Sequence, residues 1–140
     1  MRKYLVSISI ALLSILALPL QAQSLFPDSV GAKVKYDATI EMNKGYISGV
    51  CVLLHERNGV KGCLFNEFGI SALSFTYFPD RDDVKLEEVI NMLDKWYIRK
   101  VLRKDLLQLM KNLQQGIGTY HNEKYKIDYK FSLLKDAAEE

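Results

Sequence analysis

The sequence predicts an α+β fold, in which a curved antiparallel β-sheet forms a half-open, barrel-like meander and one or two helices pack across one face. Three observations support this prediction: apolar and polar residues alternate early in the chain, short turn signals separate the alternating segments, and a helical periodicity precedes a return to alternation. The 140 residues are 49% hydrophobic and 26% charged, which suits one globular domain and excludes disordered and low-complexity classes.

Four consecutive strands form the predicted meander. Their predicted bounds are Lys33–Met42, Tyr46–Glu56, Val60–Phe65 and Ile70–Phe78. Asn58-Gly59 is a strong hairpin signal between the second and third strands. The segment 50–54 of the second strand is apolar on both faces, which predicts a central strand covered on both sides.

A helical segment is predicted after Pro79, which ends the fourth strand. Apolar residues recur there at steps of four, three, four and four, namely Leu86, Ile90, Leu93, Tyr97 and Val101. Acidic residues come first and basic residues follow, an order that suits the helix dipole. Asp105 either caps a second helix or marks a bend in the first, and Gly116 and Gly118 end the helical part.

The chain then returns to strand. Thr119-Tyr120 leads into a polar turn at 121–123, and an amphipathic strand follows. Its apolar face consists of Tyr125, Ile127, Tyr129 and Phe131, which alternate with charged residues.

Residues 1–22 have the pattern of a secretory signal peptide. A positive start, Arg2-Lys3, precedes an apolar run, and Pro19 stands before the small-residue site at Ala22. Cleavage after Ala22 leaves 23–140 as a single domain, with 23–32 as an extended lead-in and 136–140 as a frayed tail. We therefore expect an exported protein, periplasmic or extracellular and soluble, with no transmembrane segment after cleavage.

The charge balance argues against nucleic acid as a partner. Without Arg2 and Lys3 the chain keeps 17 basic residues (19 minus 2) and 17 acidic residues, so its net charge is zero. A general nucleic-acid interface needs a basic excess that this composition lacks.

No motif predicts a catalytic or metal centre. The chain has no P-loop, no GxGxxG, no nucleophile elbow and no paired CxxC, so we expect a protein that is not an enzyme and needs no cofactor or metal. Cys51 and Cys63 share a face diagonally if the hairpin loop has three residues, and lie on opposite faces if it has two. We favour two buried thiols, with a disulfide as the alternative in an exported protein.

Two sets of residues are candidates for binding. Lys95, Arg99 and Arg103 stand four apart, and no acid at four-residue spacing neutralises them, so they form either a solvated helix face or a patch for an anionic headgroup or partner. The aromatic residues of the sheet and helix either fill the core or line an apolar cavity. For the cavity, the candidate wall residues are Phe75, Tyr77, Trp96 and Tyr97.

The order of elements resembles a known family. An export signal, a meander with the segment Phe65-Asn66-Glu67-Phe68-Gly69-Ile70 between strands, and a helical segment with Trp96-Tyr97-Ile98-Arg99-Lys100 together resemble the lipoprotein carriers and receptors of the outer membrane, LolA and LolB. The resemblance covers roughly residues 36–131. It implies a half-open antiparallel barrel closed by helices over an apolar cavity for acyl chains.

These observations support two hypotheses about function. The first is an exported, non-enzymatic binding protein for an apolar or lipid ligand, or for a lipoprotein acyl chain, at the cell envelope. The alternative is a protein-interaction accessory of the envelope that has no ligand cavity and binds another envelope protein.

The predicted cleavage is tested by N-terminal sequencing of the exported protein. We expect Gln23 as the first residue, because the small-residue site ends at Ala22. Recovery of Met1 from the exported fraction would contradict a cleaved signal peptide.

Overall fold

The computed structural model describes residues 25–43 and 45–134. The predicted signal peptide, the first two residues of the lead-in and the predicted tail at 136–140 lie outside the described residues.

Within these described residues, seven strands form one antiparallel sheet that curls into a half-barrel, and one α-helix packs with it. The strands are β1 (Lys33–Met42), β2 (Gly45–Glu56), β3 (Gly59–Asn66), β4 (Ser71–Phe78), β5 (Asp83–Val89), β6 (Thr119–Asn122) and β7 (Ile127–Leu133), and the helix is α1 (Trp96–Gln114). Their order across the sheet is β5-β4-β3-β2-β1-β7-β6. The α+β fold class with a curved antiparallel sheet is confirmed.

The first four strands follow the predicted meander closely. Glu56 pairs with Gly59, so the β2–β3 hairpin has a two-residue loop, Arg57-Asn58, one position earlier than the Asn58-Gly59 signal indicated. Across this hairpin Cys51 pairs with Leu64, which places Cys51 and Cys63 on opposite faces of the sheet.

Both cysteines are free thiols, as the favoured interpretation held, but only one of the two is buried. Cys51 is buried, and burial raises the pKa of its thiol. Cys63 is only half-buried, and its Sγ lies 3.3 Å from Ser71 Oγ.

The predicted helix across residues 86–93 is wrong, because this part of the chain forms β5 and the loop that follows it. A 3-10 turn at Pro79–Arg81, with Asp82 at φ 51°, reverses the chain so that β5 pairs with β4. Leu86 and Glu88 pair with two adjacent residues of β4, Phe75 and Ser74. Glu87 between them is therefore an extra residue in the strand pairing. This β-bulge breaks the strict alternation and leaves apolar spacings that mimic a helix.

The helix therefore begins later than predicted, at Trp96, and runs without interruption to Gln114. Asp105 lies inside α1 and caps no second helix. The first turn contains no acidic residue, and Arg99 and Lys100 lie close to the N-terminus. The charge order thus opposes the helix dipole, contrary to the sequence prediction.

The curled sheet packs its concave face against α1, and the described residues cover the other face of β2 only in part. In the described part of the chain, α1 contacts the two edge strands, β5 and β6. The outward residues Val50, Val52 and Leu54 stay half-exposed, so the prediction that both faces of β2 are covered is wrong. Among the described residues, no helix is both long and apolar enough to cross a bilayer.

Large side chains occupy the concave side of the half-barrel. The helix contributes Leu102, Leu106, Leu109, Met110 and Leu113, which pack with buried sheet residues such as Tyr36, Phe75 and Tyr129. The lead-in also contributes, because Phe26 is buried and its ring meets that of Tyr77 edge to face. The interior of the half-barrel is thus packed with the protein's own side chains.

Gly62 tests this packing directly. A Cβ at this position would clash with the ring of Phe75 on the neighbouring strand, so Gly62→Ala should lower the free energy of unfolding by about 1–3 kcal/mol. Phe75→Leu removes the clashing ring atoms, so the double variant should lose less than the sum of the two single variants. Urea unfolding of the four proteins measures this coupling, and strictly additive losses would contradict the contact.

Candidate functional site

Two surface grooves flank the N-terminal half of α1. We call the first the apolar groove; its wall includes Met42, Met92, Tyr97, Val101, Tyr125 and Ile127. We call the second the basic groove; its wall includes Arg81, Lys85, Arg99, Lys100, Arg103 and Lys104. The apolar groove lies between α1, the β1–β2 turn and the start of β7, whereas the basic groove lies between α1 and β5.

The apolar groove has the size and character of a small-ligand site. Its volume is about 430 Å³, within the range of roughly 300–1,000 Å³ that is usual for ligand pockets. Three of its rim residues are unusually exposed for apolar side chains: Met92 is 57% exposed, Tyr97 51% and Tyr125 48%. Lys95 is the one charged residue among the described residues of its wall.

The basic groove is larger, with a volume of about 710 Å³. Its described wall contains six basic residues and one acidic residue, Asp83. Trp96 stands at one side of this groove and is 76% exposed.

The predicted ridge of Lys95, Arg99 and Arg103 is not one patch. Arg99 and Arg103 line the basic groove, whereas Lys95 precedes the helix and lines the apolar groove. The structure therefore assigns the three cations to two different surfaces.

The two arginines are also compensated, contrary to the expectation from helical spacing. Arg99 Nη1 donates to Asp94 Oδ1 at 3.0 Å, and Arg103 Nη2 donates to Asp83 Oδ1 at 2.7 Å. The hydrogen bond from Arg103 lowers the pKa of the Asp83 carboxyl. Sequence spacing missed these partners because Asp94 precedes the helix and Asp83 comes from β5.

The four predicted wall residues do not form a common wall either. Trp96 and Tyr97 are neighbours, with ring centroids 5.7 Å apart, but Trp96 lines the basic groove and Tyr97 the apolar groove. Phe75 and Tyr77 are buried in the core, where the Tyr77 hydroxyl donates to Gln114 Oε1 at 3.0 Å.

A buried carboxylate fixes one side of the apolar groove. Asp105 is 3% exposed and accepts hydrogen bonds from Tyr129 Oη at 2.7 Å and from Asn122 Nδ2 at 2.9 Å. Asn122 Oδ1 in turn accepts a hydrogen bond from the backbone N–H of Tyr125 at 3.0 Å. The network thus connects the middle of α1 to the turn that carries Tyr125 to the groove rim.

The histidines have local structural roles. His55 Nδ1 donates to the carbonyl of Pro27 at 2.7 Å, which ties the lead-in to the end of β2. His121 Nδ1 lies 2.5 Å from Asp128 Oδ1, and this hydrogen bond raises the pKa of the imidazole. Within residues 25–43 and 45–134, no cluster of three or more His, Cys, Asp or Glu side chains could hold a metal ion.

In comparisons with known proteins, no family model, no curated protein and no solved structure matches this chain.

The Asp105 network gives a pH-dependent prediction. Burial raises the pKa of Asp105 above its ordinary value, so the folded state holds this proton more tightly than the unfolded state does. The stabilisation from the protonated form is complete below the ordinary pKa and is lost as the pH rises through the folded pKa. Asp105→Asn should remove this component of the stability profile.

The measurement is the free energy of unfolding of both proteins across acidic to neutral pH. Stability of the unaltered protein relative to Asp105→Asn should fall as the pH rises. Tyr129→Phe provides the matched variant: it removes a hydrogen bond that lowers the pKa of Asp105, so the fall should extend to higher pH. A stability difference that does not change with pH would contradict a raised pKa at Asp105.

Proposed function

We propose that this chain is an exported, non-enzymatic binding protein that holds the apolar chain of a lipid or a lipoprotein at the cell envelope. The observation that carries the proposal is the apolar groove, with its exposed rim of Met92, Tyr97 and Tyr125. Exposed apolar side chains gathered around a concavity are typical of a surface that is covered in its working state.

The chain would bind in the surface groove and not inside the half-barrel. The side chains of α1 and the ring of Phe75 already fill the concave side of the sheet. The groove needs no displacement of this core, since it lies between Val101 on α1 and Ile127 on β7. Binding there is compatible with a stable, closely packed fold.

Apolar burial would supply most of the affinity. Each methylene that leaves water contributes about 0.8 kcal/mol. Lys95 can extend its aliphatic stem along the groove and keep its ammonium in water, where it would face an anionic headgroup or a fatty-acid carboxylate. Tyr97 and Tyr125 suit the same boundary, because a tyrosine ring packs on apolar groups while its hydroxyl stays hydrated.

Sequence features support the same proposal. The predicted signal peptide supports a location at the envelope, and the resemblance to the lipoprotein carriers and receptors LolA and LolB supports acyl chains as ligands. The absence of catalytic motifs in the sequence favours a binding role over an enzymatic one.

A second candidate is an accessory protein that binds another envelope protein. Its support is the pair Trp96 and Tyr97 beside Met92, because tryptophan, tyrosine and methionine are enriched in protein–protein interfaces. A protein partner would cover this rim without inserting a chain between Val101 and Ile127.

Filling the groove distinguishes the two candidates. Val101→Trp should weaken binding of a fluorescent long-chain fatty acid roughly tenfold or more, since the indole would displace several methylenes of the ligand. Leu133→Trp is the matched control, because Leu133 is exposed on β7 and does not line the groove. Fluorescence titration measures the affinities, and circular dichroism checks that each variant is folded.

Two results would contradict acyl-chain binding in the groove. One is an unaltered protein that does not bind the fatty acid, which would favour the accessory role. The other is a folded Val101→Trp variant that binds as tightly as the Leu133→Trp control.

A further inference from the structure

We propose that the basic groove between β5 and α1 is a second binding site, for a phosphorylated ligand that carries two or more negative charges. This inference goes beyond the proposed function, because the groove lies on the other side of the helix from the apolar groove and shares none of its wall residues.

The groove concentrates positive charge that the rest of the chain does not have. Six of the twelve described residues that line it are basic and one is acidic, so these residues carry a net charge of +5 (6 minus 1). The chain after the predicted signal peptide has 17 basic and 17 acidic residues. The excess is therefore local and faces a concave surface.

Most of these cations have no acidic partner. Within the described part of the chain, Lys85, Lys100 and Lys104 form no salt bridge. The guanidinium of Arg81 lies 3.9 Å from the ring centroid of Phe78, so an aromatic face holds it, and it forms no salt bridge among the described residues. All four charges remain available to an anion.

Arg99 and Arg103, which do have acidic partners, still keep N–H groups that can donate hydrogen bonds to a ligand. Arg103 donates from Nε and Nη2 to a single oxygen of Asp83, which leaves three of its five N–H groups (5 minus 2). Arg99 donates once to Asp94, which leaves four (5 minus 1). The carboxylates thus hold the guanidiniums in place without using up their capacity to bind a second anion.

The charge order of α1 adds an energetic reason. Basic residues such as Arg99 and Lys100 near a helix N-terminus, with no acid in the first turn and no side-chain cap, oppose the dipole and destabilise the helix. Residues that destabilise their own secondary structure in this way are concentrated at functional sites. A bound anion would relieve the repulsion between these cations and the helix terminus.

The number and placement of the cations favour phosphoryl groups over a single carboxylate. A monocarboxylate would neutralise only one of the excess positive charges, whereas a phosphoryl group offers several strong acceptor oxygens and as many as two negative charges. Arginine binds such oxygens in pairs, and the lysines supply additional charge. The ligand can be soluble or a lipid headgroup, since both present the same chemistry to the groove.

The experiment uses two probes for these two sources. Inorganic pyrophosphate represents a soluble ligand, and calorimetry measures its binding. Phosphatidylcholine vesicles that contain cardiolipin represent a headgroup with two phosphates, and co-sedimentation compares them with pure phosphatidylcholine vesicles. Lys85→Glu combined with Lys104→Glu should weaken binding of the recognised probe roughly tenfold or more. The control combines Lys35→Glu with Lys130→Glu, which changes net charge equally at exposed positions on β1 and β7.

Binding of pyrophosphate, or of cardiolipin vesicles in preference to pure phosphatidylcholine vesicles, would support the site and identify the source. This binding must be lost in the variant with Lys85→Glu and Lys104→Glu and kept in the control variant with Lys35→Glu and Lys130→Glu. The site would be overturned if the unaltered protein bound neither probe, or if both double variants weakened binding equally. Neither Lys85 nor Lys104 lines the apolar groove, so fatty-acid binding in the same variants reports separately on the proposed function.

Discussion

The hydrogen bonds around Asp105 determine where the helix lies, and most of the surface follows from that position. This carboxylate stands in the middle of α1, and Tyr129 and Asn122 satisfy it from β7 and β6. An unpaired charge at such depth would be strongly destabilising, so the helix must keep this face toward the β6–β7 edge. At the opposite edge, Arg103 reaches Asp83 at the start of β5. The helix is therefore fixed between the two edges of an open sheet, where it takes the place of the strand pairing that would close a barrel.

The two ends of the helix consequently have different environments. The second half buries Leu106, Leu109 and Leu113 in the half-barrel, whereas the first turn exposes Trp96 and Tyr97. Near its N-terminus the helix separates from the surrounding strands enough to leave a groove on each side, one apolar and one basic. An apolar groove and an adjacent cationic groove, on two sides of one helix, would suit the amphiphilic or phosphorylated ligands that we propose.

The sequence predicted those elements whose residues have one buried and one wet face. The strands β1 to β4 and the alternation of Ile127, Tyr129 and Phe131 appear as expected, because turn signals bound the meander and because β1 and β7 each have one packed face. The start of the helix could not be found, since the bulge at Glu87 removes the alternation of β5. The grooves and the partners of the arginines depend on contacts between distant segments, which periodicity does not report. One signal was present, because Asp105 interrupts the apolar stripe between Leu102 and Leu109 and could have indicated a buried, hydrogen-bonded carboxylate.

The central claim is that an apolar chain binds beside the helix and not within the sheet. Paramagnetic broadening of amide resonances by a fatty acid that carries a nitroxide on its chain tests this claim most directly. The account predicts that broadening is strongest at Tyr97, Val101 and Ile127 and weaker at the interior residues Tyr36 and Phe75. Broadening centred on Tyr36 and Phe75, or no specific broadening at all, would contradict it.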